Sequence, residues 1–204
     1  MRYLCLLAVL FLAACATRPV LKPQGDVMAY SQHLASLDTI TNFAIKGRMG
    51  VISDYKGFSG GLSWQHQTKT EQFEESDQMD IYTPLGSKAA SIEKTPQQVV
   101  LTSADGKTLQ AQDAESLTEQ TMGWRLPLSG LGDWALGRPT SSNVDAVTWD
   151  ENGYLTSLDQ DGWHIEYQNY KPQNNIALPS KVTLKTDKVR LKLLIEEWRI
   201  NPND

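Results

Sequence analysis

The spacing of apolar residues changes along the chain. Val27, Tyr30, Leu34 and Leu37 recur at three- and four-residue intervals behind Asp26, a residue type that caps helices. This predicts a helix of about three turns with one apolar stripe. From residue 42 the interval becomes two. In "NFAIKGRMGVI" the residues Phe43, Ile45, Met49 and Val51 share one face, and Lys46 and Arg48 share the other. "FSGGLSWQH" continues the alternation with Phe58, Leu62 and Trp64, and its paired Gly60-Gly61 predicts a bulge or a sharp bend. Further strands are predicted over 78–83, 87–93, 97–103, 107–111, 144–149, 153–159, 162–169, 179–186 and 188–199. The turns "ADGK", "DENG" and "QDG" separate several of them, each with glycine in a polar setting.

A helical insertion interrupts the strands. Asp113 with "AESLTEQTMG" predicts a capped helix ending at Gly123, and "PLSGLGDWALG" a second ending at Gly137. The predicted fold is mainly β: a single curved antiparallel sheet of about ten or eleven strands with helices packed on its concave side, since so large a sheet must curl, close or split. Trp64, Trp134, Trp149, Trp163 and Trp198 fall in these strands and the second helix, and Trp124 in the link between helices.

Composition adds little and the N-terminus adds much. The chain has 204 residues, 40% of them hydrophobic and 21% charged, as expected of one folded domain. A net charge of −5 argues against a nucleic-acid partner. Met1-Arg2 and the apolar run "YLCLLAVLFLAA" have the form of a secretory signal. The run ends in Leu12-Ala13-Ala14-Cys15, which resembles the lipobox of bacterial lipoproteins; a plain signal peptide with a chance cysteine is the alternative. The lipobox implies cleavage after residue 14 and an N-acyl, S-diacylglyceryl Cys15. Residues 15–25 then form a flexible tether and 26–204 the folded domain. Residue 16 is Ala rather than the Asp that favours inner-membrane retention in proteins sorted this way, which implies the outer membrane. Cys5 leaves with the signal, so no thiol remains for a disulfide, a metal or a nucleophile.

Motifs for catalysis are missing. His33, His66 and His164 are far apart in sequence, and no zinc pattern, phosphate-binding loop, serine elbow or dinucleotide fingerprint occurs. No cofactor and no metal are expected. The acidic stretch of residues 71–80, "EQFEESDQMD", is predicted to be a solvated loop or edge. What is left is binding, in an apolar hollow between sheet and helices, or a compact core that simply fills itself. One loop stands out. In "IYTPLGSKAA" proline and glycine punctuate a hairpin, yet Leu85 stands between them. Either it folds back over its own hairpin or it points outward.

The ordered set "LAAC", "YSQHL", "IKGRMGV", "LSW", "YTPLGS", "LPLSGLGDWALGRP", "GWHIEYQNY", "LPSKVTL" and "RLKLLIEEW" resembles the LolB family of outer-membrane lipoprotein receptors along essentially the whole chain. The resemblance implies an unclosed half barrel lined by apolar residues and capped by helices. It implies a monomer, anchored in the outer membrane and facing the periplasm, that accepts acylated lipoprotein cargo from the soluble carrier LolA and inserts the acyl chains among outer-membrane phospholipids. Pro84, Leu85 and Gly86 match the family's protruding membrane-insertion loop. Trp64, Trp134, Trp163 and Trp198 match recurrent family tryptophans. With Phe43, Ile45, Met49, Val51 and Leu62 they are the candidates for an acyl-chain cavity. Tyr30 departs from the tryptophan that relatives often carry there. Arg48, Arg125 and Arg138 flank the motifs and are candidates either for carrier contact or for ordinary surface charges. Two rival expectations are an assembly lipoprotein that binds no acyl chain and an anchored hydrolase.

Overall fold

The computed structural model describes residues 25–53, 57–122 and 125–201. The predicted signal segment, Cys15, the tether up to residue 24, and Gly123 and Trp124 lie outside these residues. The elements run in order α1 (Val27–Leu37), β1 (Asn42–Ser53), β2 (Gly57–Gln67), β3 (Ser76–Tyr82), β4 (Lys88–Lys94), β5 (Val99–Ser103), β6 (Thr108–Ala111), α2 (Ala114–Met122), α3 (Leu128–Leu136), β7 (Val144–Trp149), β8 (Leu155–Gln160), β9 (Trp163–Gln173), β10 (Ile176–Lys185) and β11 (Val189–Ile200).

All eleven strands form one antiparallel sheet in the order β6-β5-β4-β3-β2-β1-β11-β10-β9-β8-β7. Two meanders meet where the first strand pairs with the last. The outer strands β6 and β7 do not meet, so the sheet stays unclosed, and α2 and α3 carry the chain from one edge to the other. The alternation read from the sequence decides which face turns inward. Phe43, Ile45, Met49 and Val51 of β1 are all buried, and they join one core with Leu117, Leu128, Leu131 and Trp134 of the helices.

Where β1 meets β11 the alternation is broken by a bulge. Lys46 pairs with Glu197 but the next residue, Gly47, pairs with Ile195, so Glu196 is the extra residue of β11. Inward positions therefore shift from Leu191, Leu193 and Ile195 to Trp198. At Gly60-Gly61 the expected bulge is not found. The β1–β2 register runs unbroken from Asn42 opposite Gln67 to Ile52 opposite Gly57. The glycine serves a close approach instead: a Cβ on Gly60 would lie 1.9 Å from the carbonyl oxygen of Tyr82.

Asp26 caps α1, its Oδ1 accepting from the Met28 amide at 2.8 Å. Leu37 and His33 are buried, and Tyr30 stacks on Trp149 at 4.4 Å. Val27, expected on the buried stripe, is 61% exposed. Gly25 leaves the body against Asp150, just beyond the end of β7. His33 sits between Tyr154 (4.7 Å) and Tyr170 (6.1 Å), and its Nε2 is buried without a hydrogen-bond partner among the described residues. Burial holds its pKa below the ordinary histidine value, with the Asp150 carboxylate partly offsetting the effect.

Two predictions follow from this packing. Gly60→Ala should lower stability by about 2–3 kcal/mol, because the rigid carbonyl of Tyr82 must move. A urea midpoint within error of wild type would contradict this. Because His33 protonates less readily folded than unfolded, stability should be full above about pH 6.5 and fall as the pH drops below that value. The drop in urea midpoint between pH 7 and pH 5 should shrink in His33→Gln.

Candidate functional site

The loop between β3 and β4 is a tight turn. The Gly86 amide donates to the Thr83 carbonyl at 2.9 Å, and the Thr83 amide to the Ser87 carbonyl at 2.8 Å. Pro84 presets the first corner, and Gly86 takes φ 87°, a conformation that glycine adopts without strain. Leu85 is left at the tip, 95% exposed. It does not fold back over its hairpin.

Strand register places a cleft at the same end of the sheet. Ser53 pairs with Val189 and His164 with Lys185, so the end of β1, the starts of β9 and β11 and the end of β10 lie together. Tyr82, which leads into the turn, ends β3 in the same direction. There α2 and α3 stand off the sheet and leave a cleft of about 460 Å³. Trp134, Trp163, Pro127 and Val189 supply apolar walls, and Glu115, Glu119, Arg125, Asp161 and Lys188 supply charge at the rim. This size and mixture suit a small apolar ligand or a segment of a longer one.

The sequence-derived cavity candidates divide in two. Trp134 and the half-buried Trp163 line the cleft. Phe43, Ile45, Met49, Val51, Leu62, Trp64 and Trp198 lie in the packed core, none more than 8% exposed. Of the three arginines, Arg48 pairs with Glu196 at 3.2 Å on the outer face and Arg125 with Glu119 at 3.1 Å at the cleft rim. Arg138 is a clamp. Its Nε donates to Asp133 at 2.7 Å and its guanidinium also donates to the Leu37 carbonyl at 2.9 Å, joining the C-terminal ends of α1 and α3.

Two buried polar residues that hold the site were not singled out by sequence reasoning. Gln160 is fully buried; its Oε1 accepts from Trp134 Nε1 at 2.9 Å and from the Thr140 amide at 3.0 Å. This fixes the cleft tryptophan against β8. Asp77 belongs to the stretch expected to be solvated, yet it is 3% exposed. Its Oδ1 accepts from Trp64 Nε1 at 2.8 Å and meets His66 Nδ1 at 2.7 Å. The His66 ring in turn packs on Gly132 of α3, where a Cβ would come within 2.6 Å of it. Residues 71–74 of the stretch are exposed as expected, whereas Ser76–Asp80 lie in β3, paired on both sides, with Met79 also buried. Only strand register, which brings Asp77 opposite His66, could have revealed the buried carboxylate.

The family described as outer membrane lipoprotein LolB matches residues 41–198. A LolB from Pseudomonas putida is 32% identical over 94% of this chain and 92% of its own length. A LolB from Cellvibrio japonicus is 32% identical over 98% of each. The chain belongs to the LolB family. It is therefore an outer-membrane lipoprotein with a role in lipoprotein localisation, and not an enzyme. Solved structures place the fold of this LolB-family protein in wider company. A DUF1329-family protein from Desulfovibrio piger superposes with a TM-score of 0.58 at 8% identity, covering 87% of this chain and 93% of the other. A LolA-superfamily protein from Nitrosomonas europaea superposes with a TM-score of 0.50 at 9% identity, covering 84% and 93%. At such identities the likeness concerns the half-barrel fold alone.

Asp77→Ala should destabilise this LolB-family protein by about 3 kcal/mol, because the buried Trp64 and His66 donors lose their acceptor together. Chemical denaturation would read the loss, and a change below about 1 kcal/mol would contradict the network's role.

Proposed function

We propose that the chain accepts acylated lipoproteins from a soluble periplasmic carrier of the LolA type and passes their acyl chains into the inner leaflet of the outer membrane. Leu85 carries this reading. A leucine 95% exposed on a hydrogen-bonded turn, at the end of the sheet where the tryptophan-walled cleft opens, supports entry into a bilayer beside the cargo.

The energetics need no nucleotide. Each acyl methylene exposed to water costs about 0.8 kcal/mol, so the chains must stay covered throughout transfer. A receiver with greater affinity than the carrier takes them downhill, and the bilayer, holding them better still, empties the receiver. A cleft of about 460 Å³ admits part of one chain, so a triacylated anchor requires it to widen. The contacts that must part are those between α2 and the segment from Leu126 into α3. Ser129 donates to Glu115 at 2.8 Å, and the Leu126 amide donates to the Thr118 hydroxyl at 2.8 Å. Leu85 contributes ~1–2 kcal/mol by entering the leaflet and orients the cleft mouth toward it. In this reading Cys15 carries the N-acyl and S-diacylglyceryl groups that hold the monomer at the membrane, and no other cofactor takes part.

The well-filled concave face favours a second reading, an assembly lipoprotein with no affinity for acyl chains. One experiment addresses both. Leu85→Glu should take up acylated cargo from its carrier at the wild-type rate, while transfer into liposomes falls about tenfold or more. Normal delivery by the variant would refute the role of Leu85. Failure of the wild-type protein to take up cargo would favour the assembly reading.

A further inference from the structure

The outer face of the sheet carries a second concavity that the cleft does not explain. Outward positions of β1 and β2 hold small residues: Gly50 pairs with Ser59, Arg48 with Gly61 and Lys46 with Ser63. The missing side chains leave a groove of about 850 Å³. One wall is Tyr82, which leans over Gly61 with its Cβ 3.4 Å from where a side chain would begin, followed by Pro84 and Gly86 of the protruding turn. The facing wall is Lys192, Leu194 and Glu196 of β11.

The charge of this groove opposes that of the whole chain. Lys46, Arg48 and Lys192 line the groove with one carboxylate, Glu196, on a protein of net charge −5, and Glu197, opposite Lys46 in register, is held by Arg199 at 2.6 Å. Glu196 is taken by Arg48 at 3.2 Å. Among the described residues no carboxylate lies within ion-pair distance of Lys46 or Lys192. Two basic side chains thus stand over a floor of glycine and serine, next to an apolar wall that includes the 37% exposed Leu194. The opposite wall, Tyr82 and Pro84, is continuous with the turn bearing Leu85.

We infer that this groove seats the anionic headgroup of a membrane phospholipid. The phosphate lies between Lys46 and Lys192, over the Arg48–Leu194 pair, and the glycerol end points across the glycine floor toward Pro84 and Leu85. The inference rests on the reading that Leu85 enters the leaflet, which brings the groove to headgroup depth. A free phosphate would answer the lysines but not the apolar wall. A lipid answers both, and basic pockets at the membrane surface bind headgroups in this way.

The test uses the full lipid-anchored chain in phosphatidylcholine vesicles. Ser63→Cys reports on the groove floor, and Asn152→Cys is a control at the other end of the strands. Alkylation of each by a water-soluble maleimide is followed by peptide mass while monomeric dihexanoyl phosphatidylglycerol is added. Labelling at Ser63→Cys should slow about five-fold, as for a site about four-fifths occupied. Asn152→Cys should be unaffected, and the same concentration of inorganic phosphate should protect neither site. Lys46→Gln should weaken the lipid about five-fold, the contribution of one basic side chain at an anionic surface. The Lys46→Gln/Lys192→Gln pair should abolish protection while cargo uptake continues. Ser59→Cys, a second position on the floor, should repeat the pattern.

Equal labelling with and without lipid at both floor positions overturns the assignment. So does protection by inorganic phosphate, or protection that survives loss of both lysines. Leu85→Glu separates the two readings. Protection retained while that variant still delivers cargo sinks leaflet insertion and leaves the groove standing. Delivery lost in Leu85→Glu with no protection in the parent chain sinks the groove and leaves insertion standing.

Discussion

An antiparallel sheet that curls without closing has one apolar concave face and no second sheet to cover it. Everything else in this fold answers that constraint. Because β6 and β7 do not meet, the chain must pass from one edge to the other, and it does so with α2 and α3, which bring Leu117, Leu128, Leu131 and Trp134 onto the inward residues of the strands. Cover and connection are the same segment. Loosening the cover therefore exposes hydrocarbon-compatible surface without breaking a strand pair.

Polar groups, rather than further apolar area, determine where the cover rests. Gln160 holds Trp134 through its indole, Asp77 holds the His66 ring on which Gly132 packs, and Arg138 ties the end of α3 to the end of α1. Each is directional and each lies near a helix end or a tryptophan. Apolar packing alone is tolerant of sliding, whereas a buried acceptor that loses its donor is costly. This division of labour gives a cover that is specific in place yet joined to itself across the cleft by only a few hydrogen bonds.

Much of this was legible in the chain. Period-two alternation located the strands, and the stops at Gly137 and in "TPLG" marked real boundaries. The double glutamate in "RLKLLIEEWRI" is the trace of the bulge at Glu196, visible once the inward residues are counted. Other features were hidden because they depend on pairs distant in sequence. Gly60-Gly61 suggested a bulge, but its reason is the carbonyl of Tyr82 on the neighbouring strand. Asp77 looked like surface charge because its partners lie across a strand pair. Nor can alternation distinguish a residue that lines a hollow from one that fills a core. Trp163 and Trp64 have the same signature, and only the first borders the cleft.

The place where Gly25 leaves the body sets a mechanical condition. It sits beside Asp150, past the end of β7, whereas the turn of Leu85 lies at the opposite end of the strands. An eleven-residue strand such as β2 runs about 36 Å. The ten peptide steps from Cys15 to Gly25 reach at most about 35 Å. If Cys15 is the anchor and Leu85 enters the same bilayer, as proposed, those ten steps must be nearly fully extended or the barrel must lie on its side, so the length of this segment would set the tilt of the domain.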